Sequence, residues 1–131
     1  MNKFLKIFSA VLAIFSSSSA LADEPMLKST SYASIESKIG KGKPMMLEFG
    51  STSCHSCVIM GQTLYKLKQK HPQSNIYFID IYKDEQAAMQ YGAVMIPAQV
   101  YLDKNGKVIE KHFGKIEYSE LEKKLKSLDM L

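Results

Sequence analysis

The sequence predicts an α/β fold with a central mixed β-sheet of about four to five strands and helices on both of its faces. Through the first two thirds of the chain, strand-like apolar segments alternate with helix-like segments, an order that requires the early strands to pair in parallel. Later, an Asn105-Gly106 turn between two strand-like segments predicts a β-hairpin and therefore antiparallel strands. A last segment with helical spacing of leucines closes the chain.

The N-terminal residues predict an export signal. A basic start with two lysines precedes an apolar core over residues 7–15 and small residues at 20–22. This order is typical of a signal peptide, here over residues 1–22 with cleavage after Ala22. An uncleaved anchor or a buried N-terminal helix is the alternative, but the apolar run is too short for a stable membrane span. We therefore expect residues 23–131 to form the folded protein, as one domain.

The composition argues against nucleic-acid binding as a function. The formal net charge is +4, and all of the cationic residues are lysines spread along the chain. A modest, dispersed excess of lysine is typical of an ordinary solvated surface.

The first half of the domain predicts a helix, a strand and a second helix. Residues 32–39 have apolar side chains at helical spacing, and a Gly-Lys-Gly-Lys-Pro sequence then ends the helix. Residues 45–49 form a compact apolar run, which predicts a buried strand, and residues 50–53 form a turn with capping side chains. The second helix is expected to start at the cysteines and run to about Lys70. Its apolar face is Val58, Met60, Leu64 and Leu67.

The second half predicts two more elements before the hairpin. Residues 75–82 alternate and are rich in β-branched and aromatic side chains, which predicts a strand, and residues 84–91 predict a short helix that Gly92 ends. The hairpin pairs residues 98–102 with residues 107–113. The closing helix is expected to begin at Ser119 as its cap, with Leu121, Leu125 and Leu128 on its apolar face.

The only two cysteines, Cys54 and Cys57, lie three residues apart at the junction between a strand and a helix. A thiolate at that place gains from the unpaired N–H groups and the positive dipole end of the helix. The second thiol, one turn further on, is close enough to resolve a mixed disulfide. From these residues alone the pair is a redox-active dithiol, a metal site or a small structural loop.

The order of these segments resembles the thioredoxin superfamily from about Pro44 to Leu128. The resemblance depends on a CxxC pair followed some forty residues later by Ile-Pro, then by a hairpin and a helix. The matching segments are Met46-Leu47-Glu48-Phe49 with Cys54-His55-Ser56-Cys57, Tyr91-Gly92 with Ile96-Pro97, and Asp103-Lys104-Asn105-Gly106-Lys107 with Phe113-Gly114.

The resemblance implies that Cys54 is the attacking nucleophile and that Cys57 is the resolving thiol. The redox-active disulfide Cys54–Cys57 would then be the working group, with no cofactor and no metal. His55 and Ser56 stand where thioredoxins have Gly-Pro, so these two residues are expected to tune the redox potential. As a cation, His55 would stabilise the Cys54 thiolate; the alternative is an exposed histidine with little effect.

The same resemblance implies roles for three further residues. Glu48 lies six residues before Cys54, where thioredoxins carry a buried aspartate that assists proton transfer at the second cysteine; the alternative is a solvent-facing glutamate at a strand end. A buried carboxyl has a raised pKa and can act as a general acid or base. Pro97 matches the cis-proline that faces the cysteines, and Ile96 would offer its backbone to an extended substrate. An ordinary trans-proline before an edge strand is the alternative.

The resulting expectation is an exported, monomeric thiol-disulfide oxidoreductase in the periplasm. The resemblance implies a reductant that receives electrons from a membrane thiol reductase of the DsbD or CcdA type. Its partners would be exported proteins with cysteines, such as apocytochrome c. A net disulfide oxidant or isomerase remains an alternative within the same chemistry.

A copper chaperone that uses the two cysteines and His55 is the alternative from another class, because soft thiolates suit Cu(I). His71 and His112 are further histidines, but nothing in the sequence places them at the site. Four of the methionines occupy apolar positions and are expected in the core, where they would not bind copper: Met45, Met46, Met60 and Met95.

Overall fold

The computed structural model describes residues 24–131, so the predicted signal peptide lies outside the described residues. The described part contains four helices and four strands. In chain order they are α1 (Tyr32–Glu36), β1 (Met45–Gly50), α2 (His55–Lys70), β2 (Ile76–Asp80), α3 (Glu85–Gln90), β3 (Ala98–Leu102), β4 (Val108–Phe113) and α4 (Tyr118–Ser127). Between residues 24 and 131, no helix has the length and the apolar character that crossing a membrane requires.

The strands form one mixed sheet in the order β2-β1-β3-β4. β1 pairs with β2 in parallel, as the α2 crossover between them requires, whereas β3 is antiparallel to both β1 and β4. The prediction of a mixed α/β sheet with helices on both faces is therefore confirmed.

Each face of the sheet has its own apolar core. On one face, α1 and α3 pack against the sheet through side chains that include Ile35 and Ala88. On the other face, α2 and α4 pack through side chains that include Leu64 and Leu121. β1 is buried along its whole length because both faces are covered, and this explains its continuous apolar sequence. Glu48 is the one charged residue in that strand.

The segment before α1 is attached to the domain at two places. The Leu27 N–H donates to the Gly61 carbonyl at 2.9 Å, and the Thr30 N–H donates to the Phe78 carbonyl at 2.8 Å. Gly61 permits the first contact, because a Cβ at this position would lie 2.5 Å from the terminal methyl of Met26. The sequence reveals this glycine, but not the close approach that requires it.

The ends of several elements differ from the predictions, and local hydrogen bonds explain the end of β2. β2 ends at Asp80, where the chain turns: the carboxylate of Asp80 accepts the Tyr82 N–H and its carbonyl accepts the Asp84 N–H, both at 2.9 Å. The predicted cap at Ser119 is wrong. α4 begins at Tyr118, and Glu117, two residues before Ser119, occupies the cap position without a side-chain cap bond.

The expectation of a core position is wrong for Met95. Met45, Met46 and Met60 are buried, but 61 % of the surface of residue Met95 is exposed. Met95 belongs to the loop between α3 and β3 and not to an element that packs on the sheet, so its apolar neighbours in the sequence gave a false signal.

Candidate active site

Cys54 lies at the N-terminus of α2, where the loop after β1 ends. The loop is held by Ser51, whose carbonyl accepts the Cys54 N–H at 3.2 Å and whose hydroxyl accepts the Ser53 N–H at 3.1 Å. The Cys54 sulfur caps the helix by accepting the Cys57 N–H at 3.4 Å. A thiolate on Cys54 would therefore receive a backbone donor and the positive end of a helix of 16 residues.

Both cysteines are free thiols, and their surroundings differ sharply. Cys54 is partly exposed, whereas Cys57 faces the interior with no exposed surface. Burial raises the pKa of Cys57 to about 12, with further contributions from its hydrogen bond to Cys54 and from the charges of Cys54 and Glu48; a hydrogen bond with the Ser51 backbone opposes these effects. Cys57 therefore holds its proton at neutral pH and needs a base before it can attack.

Gly50 allows Cys57 to pack tightly against the sheet. A Cβ at this position would lie 3.1 Å from the Cys57 Cβ and 3.0 Å from the ring of Phe78. These distances are shorter than ordinary van der Waals contacts, so any larger residue would displace the first turn of α2 or the Phe78 ring.

Glu48 is fully buried in the middle of β1, on the face covered by α2 and α4. The side-chain amide of Gln99 on β3 donates to both of its oxygens, at 3.1 and 2.8 Å. Burial raises the pKa of the Glu48 carboxyl well above its ordinary value, the charge of Cys54 raises it further, and the hydrogen bond from Gln99 opposes this rise. The carboxyl is therefore a buried acid-base group whose charge acts on Cys57.

Gln99 and His112 were missed by the sequence predictions. His112 Nδ1 lies 2.7 Å from the Gln99 Oε1, so Glu48, Gln99 and His112 form one hydrogen-bonded row across β1, β3 and β4. The row follows from the strand register, in which Gln99 pairs with both Glu48 and His112. A signal was present in the sequence: a carboxyl buried in an apolar strand needs a donor, and Gln99 interrupts the apolar run of β3.

Pro97 lies at the cysteine end of the sheet. Because β3 is antiparallel to β1, the start of β3 lies beside the end of β1, where the loop to Cys54 begins. The Ile96–Pro97 peptide bond is cis, Pro97 is buried, and its carbonyl accepts the Gly114 N–H at 2.8 Å. Ile96 is partly exposed just ahead of it.

Comparison with known proteins identifies the family. The family model described as Thioredoxin matches residues 26–127, which is most of the chain. The chain belongs to the thioredoxin family. A comparison with curated protein sequences gave no match.

Solved structures, two of which are thioredoxins, resemble this family member in fold. The mitochondrial thioredoxin 3 of Saccharomyces cerevisiae, in its oxidised form, superposes with a TM-score of 0.64 at 26 % identity, over 79 % of this chain and 95 % of the yeast chain. A yeast structure described in terms of the thiol resolving mechanism of a mitochondrial 1-Cys peroxiredoxin gives 0.61 at 26 % identity, over 79 % and 95 % of the two chains. The thioredoxin of Fasciola hepatica gives 0.66 at 21 % identity, over 79 % and 99 %, and supports the fold alone.

The two residues between the cysteines of this thioredoxin-family protein lie in the first turn of α2. His55 is exposed and Ser56 is partly buried. Both follow Cys54 directly in the chain, and neither belongs to the hydrogen-bonded row of Glu48, Gln99 and His112. Within residues 24–131, no three side chains of histidine, cysteine, aspartate or glutamate gather into a group that could hold a metal ion.

Proposed function

We propose that this protein is a thiol-disulfide oxidoreductase in which Cys54 attacks and Cys57 resolves. The observation that carries the proposal is the contrast between the two thiols at the start of α2. Cys54 is accessible and accepts a helix N–H, whereas Cys57 is buried and keeps its proton. A permanent structural bridge would need neither this difference nor a buried carboxyl close by.

The reductive direction can be written as two exchange steps. The Cys54 thiolate attacks one sulfur of a client disulfide; a bond forms between Cys54 and that sulfur, and the other client sulfur leaves as a thiolate. Cys57 then gives its proton to the Glu48 carboxylate and attacks the Cys54 sulfur. The Cys54–Cys57 disulfide forms, and the second client thiolate leaves and takes a proton from water.

The test compares single substitutions of the cysteines in a disulfide-reduction assay. We expect Cys54→Ser to abolish activity and Cys57→Ser to accumulate mixed disulfides with the client. Thr52→Ala, in the same loop and exposed, is the control and should keep full activity. At mildly acidic pH, alkylation of the reduced protein should label Cys54 first. Preferential labelling of Cys57, or an active Cys54→Ser variant, would overturn the proposal.

The proposal also covers whether the protein reduces or oxidises its clients and where in the cell it does so. The signal-like pattern of residues 1–22 supports export to the periplasm, and the resemblance to thioredoxins supports a monomeric reductant supplied by a membrane thiol reductase of the DsbD or CcdA type, with clients such as apocytochrome c. Equilibration with glutathione tests the direction. A potential of about −270 mV supports a reductant, and one of about −120 mV requires an oxidant instead.

A further inference from the structure

Three polar side chains lie side by side on the face of the sheet that α2 and α4 cover. Glu48, Gln99 and His112 are direct neighbours across β1, β3 and β4. Glu48 and Gln99 have no exposed surface, whereas His112 on the outer strand is partly exposed. The row therefore leads from a buried carboxyl beside Cys57 to a side chain that water can reach.

The hydrogen bonds give this row a direction. The Gln99 amide nitrogen faces both oxygens of Glu48, so its oxygen faces His112. An amide oxygen only accepts, so the bond of 2.7 Å requires a proton on His112 Nδ1. Each donor in the row therefore points towards Glu48, an arrangement that favours the carboxylate over the carboxylic acid.

A carboxylic acid at Glu48 would favour the opposite arrangement. Its O–H would donate to the Gln99 oxygen, the amide would turn over, and the amide nitrogen would face His112 Nδ1 as a donor. The protonation of Glu48 is thus coupled to the orientation of Gln99 and to the position of the His112 proton. The amide group itself carries no proton; it fixes which groups donate and which accept.

We propose that Gln99 and His112 are positioning residues that hold the Glu48 carboxyl in the orientation and charge state needed to take the proton of Cys57. The inference rests on the proposed function, because it assigns support to the base of the second exchange step. Neither residue touches the client or the cysteine sulfurs in this scheme, and both act through Glu48.

Other titratable groups lie near the row and contribute to the electrostatic environment of Glu48. Cys54 lies directly before α2 and Cys57 lies in its first turn, Tyr101 lies on β3, and Asp80 ends β2. Beyond Tyr101, Glu110 pairs with Lys124 of α4, and Glu120 contributes a further negative charge. Gln99 alone donates hydrogen bonds to Glu48 among the described residues, so its removal leaves the carboxyl without a donor there.

The experiment separates the two exchange steps with an aromatic disulfide reagent whose released thiolate absorbs visible light. Attack by Cys54 releases a first thiolate, and attack by Cys57 on the Cys54 mixed disulfide releases a second. Gln99→Leu and His112→Leu remove the donors, whereas His112→Asn keeps an N–H near the place of Nδ1. Ile109→Leu, exposed on the same strand, controls for a general disturbance of β4 and keeps the charges of that strand.

We expect the first phase to be unchanged in every variant and the second phase to slow in the two leucine variants. Loss of the donor raises the pKa of Glu48 further, so the pH profile of the second phase should move to higher pH. At a pH below the pKa, each unit of the move slows this phase about tenfold. His112→Asn should recover most of the rate, and Ile109→Leu should behave as the parent protein.

Glu48→Gln distinguishes the failure of this inference from the failure of the proposed function. If Glu48→Gln slows the second phase but Gln99→Leu and His112→Leu leave its rate and pH profile unchanged, the positioning role is wrong and the proposed function stands. If Glu48→Gln has no effect on the second phase, the assigned base is wrong and so is the positioning role.

Equal slowing of both phases in His112→Leu would show a general structural effect and overturn the inference. His112 is partly exposed, so this variant remains informative if Gln99→Leu does not fold.

Discussion

At the scale of single residues, Gly50 sets how closely Cys57 approaches the sheet. Gly50→Ala would place a methyl group 3.1 Å from the Cys57 Cβ and 3.0 Å from the Phe78 ring. We expect a loss of about 1–3 kcal/mol in the free energy of unfolding, together with slower resolution by Cys57. Chemical denaturation and the second phase of thiol release measure the two effects.

Phe78→Leu supplies the matched control for Gly50→Ala. A smaller side chain at Phe78 removes one of the two close contacts, so the double variant should lose less stability than the sum of the single losses. Strictly additive losses would show that the Phe78 ring does not limit the space at Gly50.

At the scale of elements, Glu122 joins the end of α2 to α4. Its carboxylate lies 2.9 Å from both His71 Nε2 and Lys70 Nζ. The hydrogen bond with His71, followed by that with Lys70, lowers the pKa of Glu122 to about 2. A lowered pKa stabilises the fold above the ordinary pKa of a glutamate, and this contribution is lost as the pH falls towards 2.

Glu122→Gln should therefore lower the melting temperature at about pH 6 and have less effect at about pH 2, where half of the carboxylate is already protonated in the parent protein. Glu36→Gln, an exposed carboxylate on α1, is the control for the change in net charge. A melting temperature that falls equally at both pH values would show that the Glu122 carboxylate charge does not link the two helices.

The elements also show which parts of the structure local sequence determines. The apolar run of β1 and the Asn105-Gly106 turn predicted the sheet correctly, because burial and turn conformation act within a few residues. The cysteine pair was equally visible. The start of α4 was missed because Ser119 is a good capping residue placed two positions too late.

The row formed by Gln99 and His112 was not predicted, since it depends on strand register. Gln99 lies 51 residues from Glu48 in the sequence and 13 from His112. Only the pairing of β1, β3 and β4 brings the three side chains together. The sequence indicated a buried carboxyl at Glu48 and a polar residue at Gln99 in an apolar strand, but only the register shows that the two are neighbours.

At the scale of the whole molecule, the buried Glu48 carboxyl lowers the free energy of unfolding at high pH. Its pKa is raised by burial, so the folded protein holds this proton more tightly than the unfolded chain. Stability then falls as the pH rises from the ordinary glutamate pKa to the raised one, because folding keeps a charge in the interior above that range. The loss is about 1.4 kcal/mol for each unit by which the pKa is raised.

Glu48→Gln should accordingly be more stable than the parent protein at neutral and alkaline pH and nearly equal to it at about pH 4, where both side chains are neutral. Denaturant unfolding across this pH range measures the difference, with Glu36→Gln as the control. A Glu48→Gln variant that is less stable at every pH would contradict a buried charge in the folded protein.

The attachment of residues 29 and 30 has a consequence for self-association. β2 and β4 are the outer strands of the sheet, and an outer strand with free N–H and C=O groups is a template for pairing with another chain. Ser29 bridges to Phe78 and Thr30 donates to its carbonyl, so the chain itself covers part of the β2 edge. At the β4 edge, the adjacent charges of Glu110 and Lys111 disfavour pairing between copies. Aggregation through the sheet therefore requires that the segment before α1 detach or that these charges be lost.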